Sequence, residues 1–399
     1  MKKLFLVLSL VAVFSMVFLM GCAQSTSPST TVPAPAKTTA APAPVTSAAP
    51  SSAAPKPSTS APAPAPTSAA APTAAKPIEL SFSLEQPPMS WGVKQEWEPW
   101  AKKVEAASGG RVKINIFAGS SLSPAPEIYD SAVKGVADLA WGPHSYMPGR
   151  FPLLEVFNLP GIAQSMKSSQ NILWELYQKY PQIEAEHQNV KVLWLGALSE
   201  YVLVMKDKPV RTLEDVANKK IRVTGEAIET WKLWGASPIV ISSVEAYQSL
   251  DKGVIDGAAF DLNVLEAFKL QEITKYMSLS PSTASSLYLV MNMKKWNSLP
   301  PDIQKIFVDA GKEHWLGFAG AQDDFKVGVI QRYAALPGHE IIRMSDTERA
   351  RWLAKAQPLF DKWASDMEAK GLPGKAYLAD VLALAKKYNA QYPLPTAAK

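Results

Sequence analysis

Arg222 is the side chain in this sequence with the most specific chemical meaning. It stands in the run Lys220-Ile221-Arg222-Val223, where Ile221 and Val223 form one face of a short predicted strand and Arg222 points to the other. The strand ends at a turn containing Gly225 that leads into a helix, which is where α/β proteins place ligand sites. Arginine keeps its charge, and its planar fork fits a carboxylate. The run therefore predicts an anion site at Arg222, with an internal Asp or Glu as the alternative partner.

Two short runs with the same pattern predict the walls of that site. In residues 134–140 and again in 252–258, a helix stops at a glycine and an apolar-x-Asp step starts a strand. Chance is one explanation, because helix-glycine-strand corners are common. We favour one corner repeated in two similar α/β lobes, so that Trp141 on one side and Phe260 with Asp261 on the other face a common cleft. Asp261 has two candidate roles, as acceptor for a ligand hydroxyl or as cap of the following helix.

The elements that must position these residues alternate between strand and helix from residue 77 onward. Strands are predicted at 78–83, 112–117, 136–141, 190–195, 201–205, 220–223 and 286–293, and helices at 93–107, 127–134, 226–234 and 243–252. Strand-helix-strand units at this spacing predict an α/β fold with a largely parallel sheet and right-handed crossovers.

The C-terminal part is predicted to be mostly helical. Pro300-Pro301-Asp302 is a strong helix start, and the helix is expected to run past Gln331 and brace both lobes. Ser345 and Glu348 have the spacing of a capping box that begins another helix. A last helix is predicted over about 374–389.

The first 22 residues have the pattern of a lipoprotein signal. Lys2 and Lys3 precede an apolar run from Leu4 to Met20, and Gly21 is followed by Cys22, which would become the lipidated N-terminus. A plain N-terminal membrane helix is the alternative, because the run is at the lower edge of spanning length. Both interpretations place the rest of the chain outside the cytoplasm, in the periplasm or at the cell surface, and tether it to a membrane.

Residues 23–76 consist almost wholly of Pro, Ala, Ser and Thr and cannot bury enough apolar surface to fold. We expect a disordered tether there and a folded domain over 77–399. Residues 1–76 contain five lysines and no acid, so the folded part carries 36 basic and 36 acidic residues. This neutral balance argues against nucleic acid as a partner.

The sequence contains few of the residue patterns that enzymes use for catalysis. Cys22 is the only cysteine, so its lipidation would exclude thiol catalysis and cysteine-bound metal. The histidines at 144, 187, 314 and 339 lack metal-ligand spacing, and His144 is expected at the surface, with the cleft as the alternative. Nucleophile-elbow, phosphate-loop and dinucleotide motifs are absent from the sequence. We therefore expect a binding protein without metal or cofactor, and a cell-surface enzyme is the alternative from another class.

Six stretches in order carry a resemblance to a known family. They are Ser108-Gly109-Gly110-Arg111-Val112, Lys134-Gly135-Val136-Ala137-Asp138, residues 213–223, Trp234-Gly235-Ala236-Ser237-Pro238, Gly253-Val254-Ile255-Asp256-Gly257 and residues 293–302. Together they resemble the extracytoplasmic solute-binding proteins of TRAP transporters (DctP type) over about residues 77–345.

The resemblance implies a two-lobed α/β binding protein with a long bracing helix. Lobe I would cover about 77–200 plus the C-terminal helices, and lobe II about 201–290. Such a protein closes on a small organic acid and delivers it to an ion-gradient-driven permease with a small and a large membrane subunit. The family's arginine on the Lys-Ile-Arg-Val strand clamps the ligand carboxylate, and Arg222 stands at that position. A binding lipoprotein that feeds an ABC transporter is the nearer alternative.

Two departures from the family pattern bear on the ligand. Members that bind sugar acids usually have a polar residue where Phe260 stands, and Tyr201 and its neighbours replace a second arginine. We expect Trp141, Phe260 and Tyr201 to wall a cleft anchored by Arg222, with Gln86 as a further ligand-binding residue. Aromatic walls offer few hydrogen-bond partners, so they favour a carboxylate with an apolar or aromatic body, such as a 2-oxo acid or an aryl acid, over a sugar acid or an amino acid.

Overall fold

The computed structural model describes residues 76–393. Cys22, the signal and nearly all of the predicted tether lie outside this part of the chain. Its strands are β1 (Ile78–Leu84), β2 (Val112–Phe117), β3 (Leu139–Pro143), β4 (Val190–Ala197), β5 (Val202–Met205), β6 (Lys220–Val223), β7 (Ser237–Val240), β8 (Gly257–Phe260), β9 (Tyr276–Leu279), β10 (Ser286–Asn292) and β11 (Glu340–Arg343).

The α-helices are α1 (Glu98–Ala107), α2 (Ile128–Lys134), α3 (Met166–Lys179), α4 (Gln182–Ala185), α5 (Ile228–Trp234), α6 (Ser243–Asp251), α7 (Leu262–Ala267), α8 (Met293–Ser298), α9 (Pro301–Gly317), α10 (Ala319–Ala335), α11 (Asp346–Ala369) and α12 (Gly374–Gln391). A π-helical segment, Gly92–Trp97, leads into α1, and short 3-10 turns include His144–Tyr146 and Gly225–Ala227. Within residues 76–393, none of the helices combines the length and the apolar composition needed to cross a bilayer.

The strands form two sheets, which define the two lobes. The first lobe has the order β2-β1-β3-β10-β4, and the second has β11-β9-β5-β8-β6-β7. The prediction of a largely parallel sheet holds for β2-β1-β3 and for β7-β6-β8. It is wrong beside them, because β10 and β5 run antiparallel to their neighbours. Strand β10 returns the chain to the first lobe, and β11 later adds an edge strand to the second.

The repeated corner is present in both lobes. Asp138 Oδ2 accepts a hydrogen bond from the backbone N–H of Ser81 in β1 at 2.9 Å, and Asp256 Oδ2 accepts one from Lys220 N–H in β6 at 2.8 Å. Each aspartate precedes the next parallel strand, β3 or β8. The first of these strands begins at Leu139, three residues later than predicted, because the N–H groups that follow α2 turn back to its last carbonyls. The shared geometry argues for repetition of one corner rather than chance.

Each sheet is covered by its own apolar core. The first contains Phe82, Trp97 and Trp194, all buried, with Trp97 packed edge-on against Phe82 at 5.5 Å between ring centroids. In the second lobe, Trp234 packs on Trp352 of α11 at 4.7 Å and donates its indole N–H to the Trp352 carbonyl. Burying large aromatic side chains stabilises each lobe and fixes the helices against the sheets.

The predicted bracing helix is two helices, because α9 ends at Gly317 and α10 begins after Phe318. Helix α9 packs on β4 so closely that a Cβ on Gly311 would meet the Leu193 carbonyl oxygen at 2.0 Å. Helix α10 contacts α3 in the first lobe and both α7 and β11 in the second. The bracing role is therefore shared, and α11 adds to it by contacting α5 and α12.

The predicted capping box at the start of α11 is half present. Ser345 accepts a hydrogen bond from Glu348 N–H at 3.2 Å, as the prediction requires. The Glu348 carboxylate turns elsewhere and accepts from Leu213 N–H at 2.7 Å and Trp352 Nε1 at 3.0 Å. Helix α11 is thereby attached to the second lobe.

Candidate ligand-binding site

A cavity lies where strand ends of the two sheets meet. The empty space in and around it amounts to about 750 Å³, a volume that includes open solvent at the cavity mouth. Its lining includes all six residues predicted for the ligand: Gln86, Trp141, Tyr201, Arg222, Phe260 and Asp261. The side chains come together because the carboxyl ends of neighbouring parallel strands meet at one edge of a sheet.

Arg222 is buried, with 2% of its surface exposed. Its Nε donates to the Ile241 carbonyl at 2.9 Å, Nη1 to the Ala259 carbonyl at 3.1 Å, and Nη2 to Ser243 Oγ at 3.3 Å. The guanidinium carbon lies 4.2 Å from the centre of the Phe260 ring, in cation–π contact. These contacts use three of the five guanidinium N–H groups and leave one N–H on each terminal nitrogen.

The charge of Arg222 has no counter-ion at contact distance among the side chains that the structure describes. No acid among the described side chains of residues 76–393 forms an ion pair with it, so none of these side chains is the internal Asp or Glu partner of the alternative prediction. Burial lowers the pKa of the guanidinium, and the nearby charges of Tyr146, Tyr201 and Glu85 oppose that shift. Arginine stays protonated in proteins, so the site presents a buried positive charge to the cavity.

Glu85 and Tyr146 are site residues that the sequence did not single out. Glu85 directly follows β1, is 8% exposed and accepts a hydrogen bond at Oε2 from the Tyr146 hydroxyl at 2.8 Å. Burial raises the pKa of the Glu85 carboxyl, while the Tyr146 hydrogen bond and the charge of Arg222 lower it. An acidic residue at a strand end beside Gln86 was the available signal, but its tyrosine partner lies 61 positions away.

Asp261 has the structural role that was one of its two predicted alternatives. Its Oδ1 accepts from Asn263 N–H at 3.0 Å and caps α7, and its Oδ2 accepts from Lys326 Nζ at 2.6 Å. Lys326 lies in α10, is 1% exposed and also donates to Ser199 Oγ at 2.8 Å. A lysine on a helix 65 residues further along the chain gave no sequence signal for this contact.

Glu96 closes another part of the cavity wall. Its Oε1 lies 3.1 Å from His314 Nε2, and its Oε2 accepts from Gln322 Nε2 at 3.4 Å. The His314 ring stacks on Phe318 at 5.0 Å. Burial raises the pKa of Glu96, and hydrogen bonds from His314 and Gln322 oppose the shift. Both carboxylate oxygens of Glu96 are thus engaged by protein groups.

The lining offers more hydrogen-bonding groups than the aromatic-wall prediction assumed. Six buried side-chain atoms of the lining have no hydrogen-bond partner among the residues described: Gln86 Oε1, Trp141 Nε1, Ser145 Oγ, Thr224 Oγ1, Asn263 Oδ1 and Gln322 Oε1. Buried polar atoms are normally paired. The expectation of few donors and acceptors is therefore wrong.

His144 lies in neither of its predicted places. It is 3% exposed and lies in the first lobe, where its Nε2 is 3.0 Å from His187 Nε2 and its Nδ1 is 3.0 Å from Ser286 Oγ. Both rings pack against Phe151. Burial lowers the pKa of both histidines, that of His187 to about 4. Residues 76–393 contain no cluster of three or more His, Cys, Asp or Glu side chains placed to hold a metal ion.

Solved structures of binding proteins share this fold. A TRAP solute-binding protein from Rhodoferax ferrireducens, in complex with copurified benzoate, is 27% identical, with 79% of this chain and 99% of that chain covered and a TM-score of 0.72. One from Bordetella bronchiseptica with bound mandelate is 28% identical, with 78% and 99% covered and a TM-score of 0.71. One from a marine metagenome, specific for aromatic acid ligands and in complex with metahydroxyphenylacetate, is 25% identical, with 78% and 99% covered and a TM-score of 0.73.

The family comparison covers most of the folded chain. Residues 86–366 match the family DctP, described as bacterial extracellular solute-binding protein, family 7. The chain shares its overall fold with the binding proteins just described. The chain belongs to the DctP family, and the prediction of an extracytoplasmic TRAP solute-binding protein that delivers a small organic acid to a membrane permease is confirmed.

Proposed function

We propose that the cavity captures an aromatic carboxylate, with the carboxylate on Arg222 and the ring against the aromatic walls. The observation that carries the proposal is the buried Arg222 guanidinium, which has two uncommitted N–H groups and no acid partner among the described side chains. A buried charge without a counter-ion is costly. A ligand carboxylate removes that cost and satisfies both N–H groups.

Apolar groups beside Arg222 favour a flat ring as the body of the ligand. Trp141 is 5% exposed and packs against Trp97 at 5.4 Å, so its indole is held in place before the ligand arrives. Leu198, Leu287 and Phe268 also line the cavity. Burial of an aromatic ring among such groups is favourable, and ring pairs add to it. The relatives that bind benzoate, mandelate and metahydroxyphenylacetate each take a ligand with one ring and one carboxylate.

A melting screen tests this proposal. Ligand binding raises the free energy of unfolding by RT ln(1 + [L]/Kd), about 2.7 kcal/mol at a hundredfold excess over Kd. Benzoate, phenylacetate and mandelate should raise the melting temperature of the wild-type protein and leave that of Arg222→Ala unchanged. A rise with sugar acids or amino acids alone would contradict the proposal.

We propose that closure of the cleft is a hinge motion of the two lobes. Lobe I would comprise about 77–200 with the C-terminal helices, and lobe II about 201–290. Small-angle scattering should give a smaller radius of gyration at ligand saturation. An unchanged radius would argue against closure.

We propose that the protein is held at the membrane by lipid on Cys22, with residues 23–76 as the tether. A basic head, an apolar run and a small residue before the cysteine support this. Cell fractionation should find the wild-type protein with membranes and Cys22→Ser either released or retained as the unprocessed precursor. Processing and lipid labelling unchanged in Cys22→Ser would contradict the anchor.

A further inference from the structure

Two buried histidines form a pair behind the ligand cavity, and the carboxylate site at Arg222 does not explain them. His144 is 3% exposed and His187 is 1% exposed. Their Nε2 atoms lie 3.0 Å apart. His144 begins the 3-10 turn after β3, whereas His187 follows α4. The pair therefore joins two segments of the first lobe that are distant in the sequence, and a satisfied buried polar contact of this kind makes a structure rigid.

The hydrogen-bond partners assign the proton on each ring. His187 Nδ1 lies 3.0 Å from the Ile183 carbonyl oxygen, which only accepts, so this nitrogen carries a hydrogen. In the neutral ring His187 Nε2 is then an acceptor, and His144 Nε2 donates to it. His144 Nδ1, 3.0 Å from Ser286 Oγ, accepts from that hydroxyl. All four ring nitrogens are thus satisfied while both rings are neutral.

The surroundings of the pair favour its neutral state. Burial lowers the pKa of both rings, that of His187 to about 4, and the positive charge of Arg150 acts in the same direction. Among the side chains of residues 76–393, no acid forms an ion pair with either ring. Only one proton fits between the two Nε2 atoms, so the contact cannot persist when both rings are charged. The titratable or charged groups around the pair are Tyr129, Asp130, Arg150, Glu186 and Tyr288.

Both ends of this hydrogen-bond chain lead directly to the ligand cavity. His144 is followed by Ser145 and Tyr146, which line the cavity. Ser286 is followed by Leu287, which lines it too. The two histidines are not part of the lining within the described residues. They can therefore act on a ligand only through the residues that they hold in place.

We propose that His144 and His187 are positioning residues of the ligand site, and that their neutral pair fixes the turn that presents Ser145 and Tyr146 to the ligand. The choice of an aromatic acid as the test ligand rests on the proposed function. The position of the turn does not depend on that choice, because the pair is complete without a ligand.

The first test removes the acceptor and then restores it. His187→Leu leaves His144 Nε2–H without a partner, so benzoate should bind about tenfold more weakly at neutral pH in calorimetric titration. Hydrogen exchange of the Met147 amide, which donates to the His144 carbonyl at 2.8 Å and closes the turn, should become faster. His187→Gln supplies an amide oxygen for His144 and an N–H for Ile183, and it should restore both properties. His339→Gln in the second lobe is the control and should match the wild type.

The second test follows the protons themselves. Nitrogen-15 spectra of the side chains at neutral pH should place the hydrogen on Nδ1 of His187 and on Nε2 of His144. Both rings have a lower pKa in the folded state than the ordinary value of 6.5, so stability should fall as the pH falls below about 6.5 towards 4. The melting temperature should fall less in His187→Gln, which has one such ring fewer. Glu186, whose pKa burial raises to about 8, responds in the opposite sense and is common to both proteins.

The outcomes separate the pair from the identity of the ligand. The opposite tautomers, a charged ring at neutral pH, or an acid response in His187→Gln equal to that of the wild type would overturn the assignment. Unchanged exchange at Met147 and unchanged benzoate affinity in His187→Leu would overturn the positioning role. If His187→Leu does not fold, the spectra and the acid response of His187→Gln decide. A wild-type protein that does not bind benzoate would contradict the proposed function, while amide exchange and the spectra would still test the pair.

Discussion

The two lobes repeat one backbone corner and differ in the side chains that they present to the cleft. In each lobe an aspartate at the start of the central strand accepts a hydrogen bond from the neighbouring parallel strand, Asp138 from Ser81 and Asp256 from Lys220. The helix before each corner also ends at a glycine with positive φ. The hydrogen bonds of the corner do not depend on the residues that follow the strands, so those residues are free to differ.

The difference between the lobes lies in charge. The first lobe places Glu85 and Gln86 at the cleft, and the second places Arg222. One wall therefore carries an acid and the other a base. The repeated corner gives both lobes the same backbone framework. The different residues at the strand ends give the cavity its ligand specificity.

The second lobe differs further by its buried ion pair, and breaking that pair should have the largest effect. Lys326→Met leaves Asp261 buried without its counter-ion and should lower the free energy of unfolding by about 3–5 kcal/mol. The matched control is Arg332→Met on the same helix, whose exposed pair with Glu266 is worth about 1 kcal/mol or less. Urea unfolding measures the free energy of unfolding of both variants. Equal decreases in the two variants would contradict the structural role of Lys326.

Arg222 tests the charge difference itself. Arg222→Ala should weaken ligand binding by about 2–5 kcal/mol, roughly 30-fold to a few thousandfold. Arg222→Lys should also bind poorly, because an ammonium group cannot reproduce the fork. Lys220→Ala, an exposed lysine on the same strand, is the control and should bind as the wild type does. Calorimetric titration measures the ligand affinity of each variant. A folded Arg222→Ala protein with wild-type affinity would contradict the role of Arg222 in binding the carboxylate.

The two corner aspartates test how alike the lobes are. Asp138 accepts from both the N–H and the hydroxyl of Ser81 and pairs with Lys295 at 3.1 Å. Asp256 accepts from the N–H of Lys220 in a more exposed position. We expect Asp138→Ala to cost about 2 kcal/mol of stability and Asp256→Ala about 1 kcal/mol. Thermal unfolding should show the larger loss of stability for Asp138→Ala. The reverse order would show that the stability contributed by each corner does not follow the number of its hydrogen bonds.

A smaller effect on ligand binding than that of Arg222→Ala is expected where the lobes touch. A Cβ on Gly225 in the second lobe would lie 3.0 Å from Pro148 Cγ in the first. Gly225→Val should hold the lobes slightly apart and weaken ligand binding about tenfold, equivalent to about 1.4 kcal/mol. Gly317→Ala, where a Cβ would meet nothing within 4 Å, is the control. Unchanged affinity in Gly225→Val would show that the lobes close without this contact.

Local sequence pattern was enough to identify the residues whose positions depend on their immediate neighbours. Ile221 and Val223 are buried in the core of the second lobe as their alternation predicted, and Arg222 reaches the cavity from the opposite face. The glycine corners at 135 and 253 were visible because a helix end, a positive-φ glycine and a strand start are set by neighbouring residues. Trp141 and Phe260 were predicted at the cleft because both follow such corners, and both line the cavity.

Contacts between distant segments could be identified only from the folded structure. Lys326 meets Asp261 across 65 positions, Tyr146 meets Glu85 across 61, and His144 meets His187 across 43. These pairs depend on how α10 crosses the second sheet and how the turns after β1 and β3 pack together, which no local periodicity encodes. Long-range pairs of this kind form because a buried polar group must find a partner wherever packing places one.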